Sequence, residues 1–175
     1  VVEKCASVVK ELVENSIDAK STEIKIELKS SGVKSIKVTD NGIGMDKDDA
    51  LLCFGSHATS KIKDEDDLFN INTLGFRGEA LPSIASVSEV ELKTSMGDIG
   101  TKIHIKGGNL LSEEKTDAKK GTSITITNLF YNTPARLKYL KTEQSELANC
   151  VALIEREALA HNDIAFTLIN NNHVL

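Results

Sequence analysis

The stretch "SIKVTDNGIGM", residues 35 to 45, begins as an ordinary strand and ends as something else. Ile36 and Val38 alternate as the core face of a strand does, and the same phase then falls on Asp40, so the buried side of the strand ends in a carboxylate. A charge at such a position is costly unless it is hydrogen-bonded or used. Gly42 and Gly44 follow one residue apart, letting the chain bend sharply and letting a ligand approach the main chain; a planar amino group fits beside the carboxylate. "NG" alone also suits a type I′ hairpin turn. The following "IGMDKDD" weakens that reading, because it leads into a helix and not into a partner strand.

Upstream, "ELVENSIDA", residues 11 to 19, is the second half of an amphipathic helix over about residues 2 to 19. At about 100° per residue Glu11, Asn15 and Asp18 fall within about 60° of one another, with Val9, Leu12, Val13 and Ile17 opposite. A solvated face usually mixes carboxylates with lysines, and asparagine is a poor helix former, so the stripe asks for a use. Downstream, "NTLGFRGEAL", residues 72 to 81, sets Gly75 and Gly78 around Phe76 and Arg77 just before a helix starting at Glu79. Free backbone N–H groups beside the positive end of a helix dipole are how phosphates are held, although a plain loop with a helix cap has the same composition. No GxxxxGK[ST] box and no GxGxxG after a strand occurs, so P-loop and Rossmann readings fail.

The rest of the chain frames these segments. Strands are expected at "TEIKIEL", "VKSIKVTD", "EVELKTS", "TKIHIKG", "TSITITNLF" and "AFTLIN", the first two forming a hairpin about "KSSG". A short helix covers about 46 to 54, another lies at "EALPSIASV", and a long one spans about 143 to 161 with Leu147, Val151, Ile154 and Ala158 on one face. This order predicts an α/β two-layer sandwich in the α+β sense: a mixed, mostly antiparallel sheet with helices on one face. The 175 residues suit one domain with a real core, and 40% hydrophobic against 27% charged residues is ordinary for a globular protein. The net charge of -5 argues against this domain gripping duplex DNA unaided, and no apolar run approaches a membrane span, so no membrane partner is expected. Cys5, Cys53 and Cys150 are odd in number and far from CxxC spacing, which fits reduced core positions and not zinc. The start at Val1, already inside a helical pattern, reads as that of a fragment.

Taken together, "ELVENSIDA", "DNGIGM", "TLGFRGEAL" and "GTSITI" resemble the four nucleotide-binding boxes of the GHKL (Bergerat-fold) ATPases, the superfamily of gyrase B, heat-shock chaperones, sensor histidine kinases and MutL proteins. "SHATSKI" (56 to 62), "GFRGEALPSIASV" and "LFYNTPARLKYLK" resemble the MutL branch, which acts in DNA mismatch repair, most closely its bacterial members. The resemblance covers nearly the whole chain. It implies ATP and Mg²⁺ as cofactors, Glu11 as the general base and Asn15 as the Mg²⁺ ligand. Mg²⁺ prefers oxygen ligands, and a neutral amide oxygen suits a shell already rich in phosphate charge. It also implies that Asp40 accepts from the adenine amino group, that Gly42 and Gly44 shape the base slot, and that Thr122 supports the contact through water. Guanine lacks that amino donor, so ATP is expected over GTP.

By the same resemblance residues from about Gly55 to Gly78 form an ATP lid, in which Thr59, Ser60 and Lys61 lie near the phosphates and Gly75, Phe76, Arg77, Gly78 and Glu79 supply backbone amides. Arg77 either touches phosphate or braces the lid; His57 and Asp18 read as structural. Few large apolar residues and the acidic run at 64 to 67 predict a mobile segment that nucleotide orders. Members of the MutL branch carry a segment preceding the position of Val1, a second domain supplying a lysine to the terminal phosphate, and a C-terminal dimerisation domain, all expected to lie outside these residues. Hydrolysis by the fragment alone is therefore in question. A homodimer, a MutS-type mismatch recognition protein and DNA are the partners implied for the intact protein, in the bacterial cytosol, or in the nucleus for a eukaryotic homologue. Other classes to weigh are a sensor kinase or gyrase-like module and a nucleotide-binding interaction module without turnover. A kinase has no reason to carry "GFRGEAL" or "FYNTPAR", and a plain interaction module has no need of Glu11 and Asn15 on one helix face.

Overall fold

A computed structural model describes residues 2–55 and 80–175. In chain order the elements are α1 (Cys5–Asp18), β1 (Glu23–Lys29), a 3-10 turn (Ser30–Gly32), β2 (Ser35–Asp40), α2 (Lys47–Leu52), α3 (Ala80–Ser86), β3 (Glu89–Ser95), β4 (Gly100–Lys106), β5 (Asn109–Thr116), β6 (Gly121–Thr127), α4 (Pro134–Tyr139), α5 (Glu143–Ala160), β7 (Ala165–Asn170) and β8 (His173–Val174). The strands form one sheet in the order β5-β4-β3-β6-β2-β1-β7-β8, with only the β1–β7 pair parallel. The mixed, mostly antiparallel sheet read from the sequence is the sheet observed, and the β1–β2 hairpin is part of it.

Register explains both the core and the site. Leu28, Ile36, Ile126, Val90 and Ile105 lie abreast across β1, β2, β6, β3 and β4, and Ile26, Val38, Ile124, Leu92 and Ile103 form the next row. All ten are buried beneath the helices. The third row on the same face runs Ile24, Asp40, Thr122, Thr94, Thr101: the apolar surface turns polar across the four strands β2, β6, β3 and β4 at one end. The opposite face carries Lys25, Glu27, Lys37, Thr39, Glu91 and Lys93, so β1, β2 and β3 obey the period of two that separates core from solvent.

Several boundaries and elements depart from the sequence expectations. The first helix begins at Cys5, not near residue 2, because Lys4 is extended and offers no side-chain cap. Its free N–H is served from a distance: Glu146 of α5 is fully buried and its Oε1 accepts from Cys5 N at 3.2 Å, an acceptor placed at the positive end of α1. Consequently α5 turns Glu146, Cys150, Leu153 and Ile154 inward, with Leu147 and Val151 on the margin of the core, a face rotated from the one expected. Strand β5 was not anticipated. It lies at the sheet edge with neither side covered, so its sequence needs no alternation. The signal for it was Gly107–Gly108, whose φ angles of 57° and 83° build the two-residue turn from β4. Helix α4 was also missed: it buries no residue and starts on Pro134, so no apolar period marks it. All three cysteines are free and buried, as read from their scatter. Among the described residues no helix is long and apolar enough to cross a membrane.

The rows predict where stability resides. Leu92→Ala, at a residue with 0% exposure, should lower unfolding free energy by about 2–5 kcal/mol in urea titrations. Leu111→Ser on β5, where the residue is 55% exposed, should stay within about 0.5 kcal/mol of the parent.

Candidate functional site

Where the polar row meets α1, the structure opens a cleft of about 500 Å³, part of it open to solvent. Asn15 and Ser16 of α1, with Ala19 just past its end, form one wall, Asp40, Thr122 and Ile124 the floor, and Ile43, Gly44, Met45 and Leu81 the remaining sides. Most of the lining is apolar, with a few polar groups converging at one end, the usual make-up of a small-molecule site.

Asp40 is the centre of those polar groups. Ser16 Oγ donates to its Oδ2 at 2.7 Å, and the backbone N–H groups of Gly42 and Thr122 donate to Oδ1 at 2.9 and 3.2 Å. Burial pushes the Asp40 carboxyl above the ordinary value of 3.8, and the bonds from Ser16, Gly42 and Thr122 pull it back down. The bend after Asp40 docks on the end of α1: Ile43 N donates to Ala19 O at 2.9 Å, and Asn41 Oδ1 accepts from the N–H groups of Thr22 and Glu23. A Cβ on Gly42 would stand 2.6 Å from Ala19 O, and one on Gly44, where φ is +71°, 1.9 Å from Ser95 O. Both glycines are therefore demanded by close packing of the backbone; Gly44 also lines the cleft, whereas Gly42 supports Asp40 from behind.

Asn15 projects from α1 into the same cleft, and among the described residues its buried Oδ1 has no hydrogen-bond partner. An orphaned amide oxygen at a cleft wall is an open coordination position. Glu11 lies one helical turn earlier on the same side of α1, half-buried, and is not part of the cleft lining. The structure thus gathers Asn15, Asp40, Gly44 and Thr122 around one space, with Glu11 beside it. Thr59, Ser60, Lys61, Gly75, Phe76, Arg77, Gly78 and Glu79, with His57 and the expected lid, lie outside the described residues.

Two residues of the site escaped the sequence reading. Ser16 sits at the middle of the apolar arc of α1, and Thr94 occupies the core phase after Val90 and Leu92; a polar residue in a core phase was the available signal for both. Thr94 is fully buried and its Oγ1 accepts from Met45 N at 2.9 Å while lying 2.9 Å from Thr122 Oγ1.

A sandwich of this topology, with an acidic strand end facing an asparagine-bearing helix, is a known class. The chain belongs to the histidine kinase-, DNA gyrase B- and HSP90-like ATPases, whose sequence profile matches residues 3–134. Within that family it is similar to DNA mismatch repair protein MutL: 63% identical over 169 residues to that of Geobacillus sp. (strain WCH70), covering 96% of this chain and 27% of the relative. Against the MutL of Bacillus mycoides (strain KBAB4) identity is 58% over 176 residues, again 27% of the relative, so the chain spans about a quarter of the length of these proteins. The Aquifex aeolicus MutL ATPase domain complexed with ADP superposes with a TM-score of 0.77 at 32% identity, covering 99% of this chain and 62% of that one. The N-terminal domain of a DNA repair protein gives 0.80 at 35% identity, covering 94% and 49%.

The raised Asp40 pKa carries a sign. The folded state holds this proton more tightly than the unfolded chain, so stability falls as pH rises above about 3.8 through the raised value, and the deficit is present at pH 7. Asp40→Asn removes the deficit while keeping an acceptor for Gly42 and Thr122. Its urea midpoint at pH 7 should equal or exceed that of the parent, with the difference shrinking as pH falls towards 3.8. A clearly lower midpoint at pH 7 would mean that the bonds to the carboxylate outweigh its burial.

Proposed function

We propose that the chain is the ATP-binding and ATP-hydrolysing domain of a MutL-type mismatch repair protein, a switch coupling mismatch recognition to later repair steps. The observation that carries the reading is the buried Asp40 carboxylate, whose Oδ2 is held by Ser16 at the polar end of an otherwise apolar cleft. Adenine offers an amino donor to that oxygen, and the apolar side chains of Val38, Ile43, Met45, Leu81 and Ile124 suit a flat base. The MutL relatives and the ADP-bound Aquifex domain support the same ligand class.

Asn15 fits a metal site of the Mg²⁺ kind. Its Oδ1 is buried and unpartnered among the described residues, and Mg²⁺ is commonly held by one or two protein oxygens with phosphate and water completing the shell. When bound, the ion would neutralise charge on the phosphates. Glu11, one turn away, would orient the attacking water and accept its proton as the new bond to the terminal phosphorus forms and ADP departs. The phosphate-side groups implied by resemblance are Thr59, Ser60 and Lys61, with the amides of Gly75 to Glu79. The same proposal extends, for the intact protein, to homodimerisation and to contacts with a MutS-type partner and with DNA in the bacterial cytosol.

Calorimetric titration of the intact protein with a non-hydrolysable ATP analogue, with and without Mg²⁺, tests the reading. Asp40→Asn should weaken binding by about one to two orders of magnitude, since a mismatched buried contact costs about 1–3 kcal/mol. Glu11→Ala should slow turnover about 10²- to 10⁴-fold with the analogue still bound, and Asn15→Ala should erase the Mg²⁺-dependent part of the affinity. Absence of analogue binding by the parent protein, or full turnover by Glu11→Ala, would overturn it.

A further inference from the structure

We propose that Thr94 is a positioning residue that fixes Thr122 as a hydrogen-bond donor towards the purine, and so contributes to choosing adenine over guanine. The inference deepens the ATP-binding reading above and rests on it.

The hydroxyl of Thr94 has one proton to give, and its surroundings decide where it goes. Thr94 Oγ1 already accepts from Met45 N at 2.9 Å, so that proton must be donated elsewhere. Two acceptors are in reach: Gly121 O at 3.3 Å and Thr122 Oγ1 at 2.9 Å. Either threonine can donate across the 2.9 Å contact, but hydroxyl donors favour separations of about 2.7–2.8 Å and 3.3 Å to Gly121 O is long, so the Thr94 proton is assigned to the shorter contact. Thr122 Oγ1 is then an acceptor towards Thr94, and its own proton is left to point into the cleft that it lines. The result is a directed chain, Met45 N–H to Thr94 O–H to Thr122 O–H to ligand, sealed from water at its middle because Thr94 is fully buried.

Next to this donor stands an acceptor. Asp40 and Thr122 are cross-strand partners, so the carboxylate and the outgoing hydroxyl share one edge of the cleft. Adenine presents an amino donor and, beside it, the N1 acceptor; guanine presents the reverse pair, a carbonyl acceptor and an N1–H donor. Asp40 reads the first position. Thr122, with its polarity set by Thr94, reads the second, directly or through one water. Without Thr94 the Thr122 hydroxyl can rotate to serve either polarity, and discrimination at N1 is lost even though Asp40 is untouched.

Ligand deletion separates this role from simple support of the fold. Affinities of the intact protein for a non-hydrolysable ATP analogue, its 1-deaza counterpart lacking N1, and its counterpart lacking the 6-amino group would be measured by calorimetry for the parent, Thr94→Ser, Thr94→Val and Thr94→Cys. The parent should lose about tenfold on removal of N1, the worth of one buried hydrogen bond. Thr94→Ser should keep that ratio. Thr94→Val should bring it close to one while the penalty for losing the amino group persists; Thr94→Cys, a small side chain with a weak donor, should give an intermediate ratio and stands in if the valine variant does not fold. An N1 penalty unchanged in Thr94→Val, or in Thr94→Cys where the valine variant does not fold, or a collapse of both penalties together, would assign Thr94 to structure alone and overturn the proposal. Failure of the parent to bind the unmodified analogue would remove the ATP-binding reading itself, a result distinct from equal N1 ratios in proteins that do bind.

Discussion

A carboxylate buried at the end of a sheet holds this domain's site together. Asp40 accepts from the Ser16 hydroxyl on α1, from Gly42 N in the bend that follows it and from Thr122 N on β6, so one side chain ties together a helix, a loop and a neighbouring strand. A buried charge is tolerable only when donors surround it, and each donor here comes from an element whose position then becomes constrained. Ser16 fixes how α1 lies over β2. Gly42 needs the chain to fold back against Ala19, where even a methyl group would collide. The cleft is the space left when those demands are met.

The same end of the sheet shows how a core changes character within two residues along each strand. Two rows of Ile, Leu and Val hold helices against sheet by burial alone, which is strong and undirected. The third row, Asp40–Thr122–Thr94–Thr101, replaces that with hydrogen bonds that have direction. Directed groups can distinguish ligands, and the apolar rows behind them supply the rigidity that keeps them aligned. A second buried acid lies at the other end of α1: Glu146 on α5 receives through Oε1 the N–H that Lys4 leaves uncapped, while its Oε2 has no partner among the described residues.

Much of this was legible in residue order because the relevant signals are local. Alternation marked the core strands, and the same alternation exposed Asp40 as a carboxylate in a core phase. The helical period put Glu11 and Asn15 on one stripe. The elements that escaped notice, β5, β8 and α4, lie on the surface, where nothing forces a period upon the sequence. Ser16 and Thr94 were hidden for the opposite reason: a small hydroxyl in a core phase looks like a tolerated core residue until its partner is known.

The sequence by itself determined the core strands and the helices with an apolar period, the carboxylate at the end of β2 and the polar stripe on α1, because each depends on spacing within a few residues. Tertiary structure alone decided which strands are neighbours, and with that placed Thr122 and Thr94 beside Asp40, though they lie 82 and 54 positions away along the chain. It also decided that Gly42 and Gly44 are needed for contact with Ala19 and Ser95, and that Asn15 Oδ1 is buried without a partner among the described residues. Hydrogen bonds and steric contacts act over about 3 Å, and only the folded chain brings such distant residues within that reach.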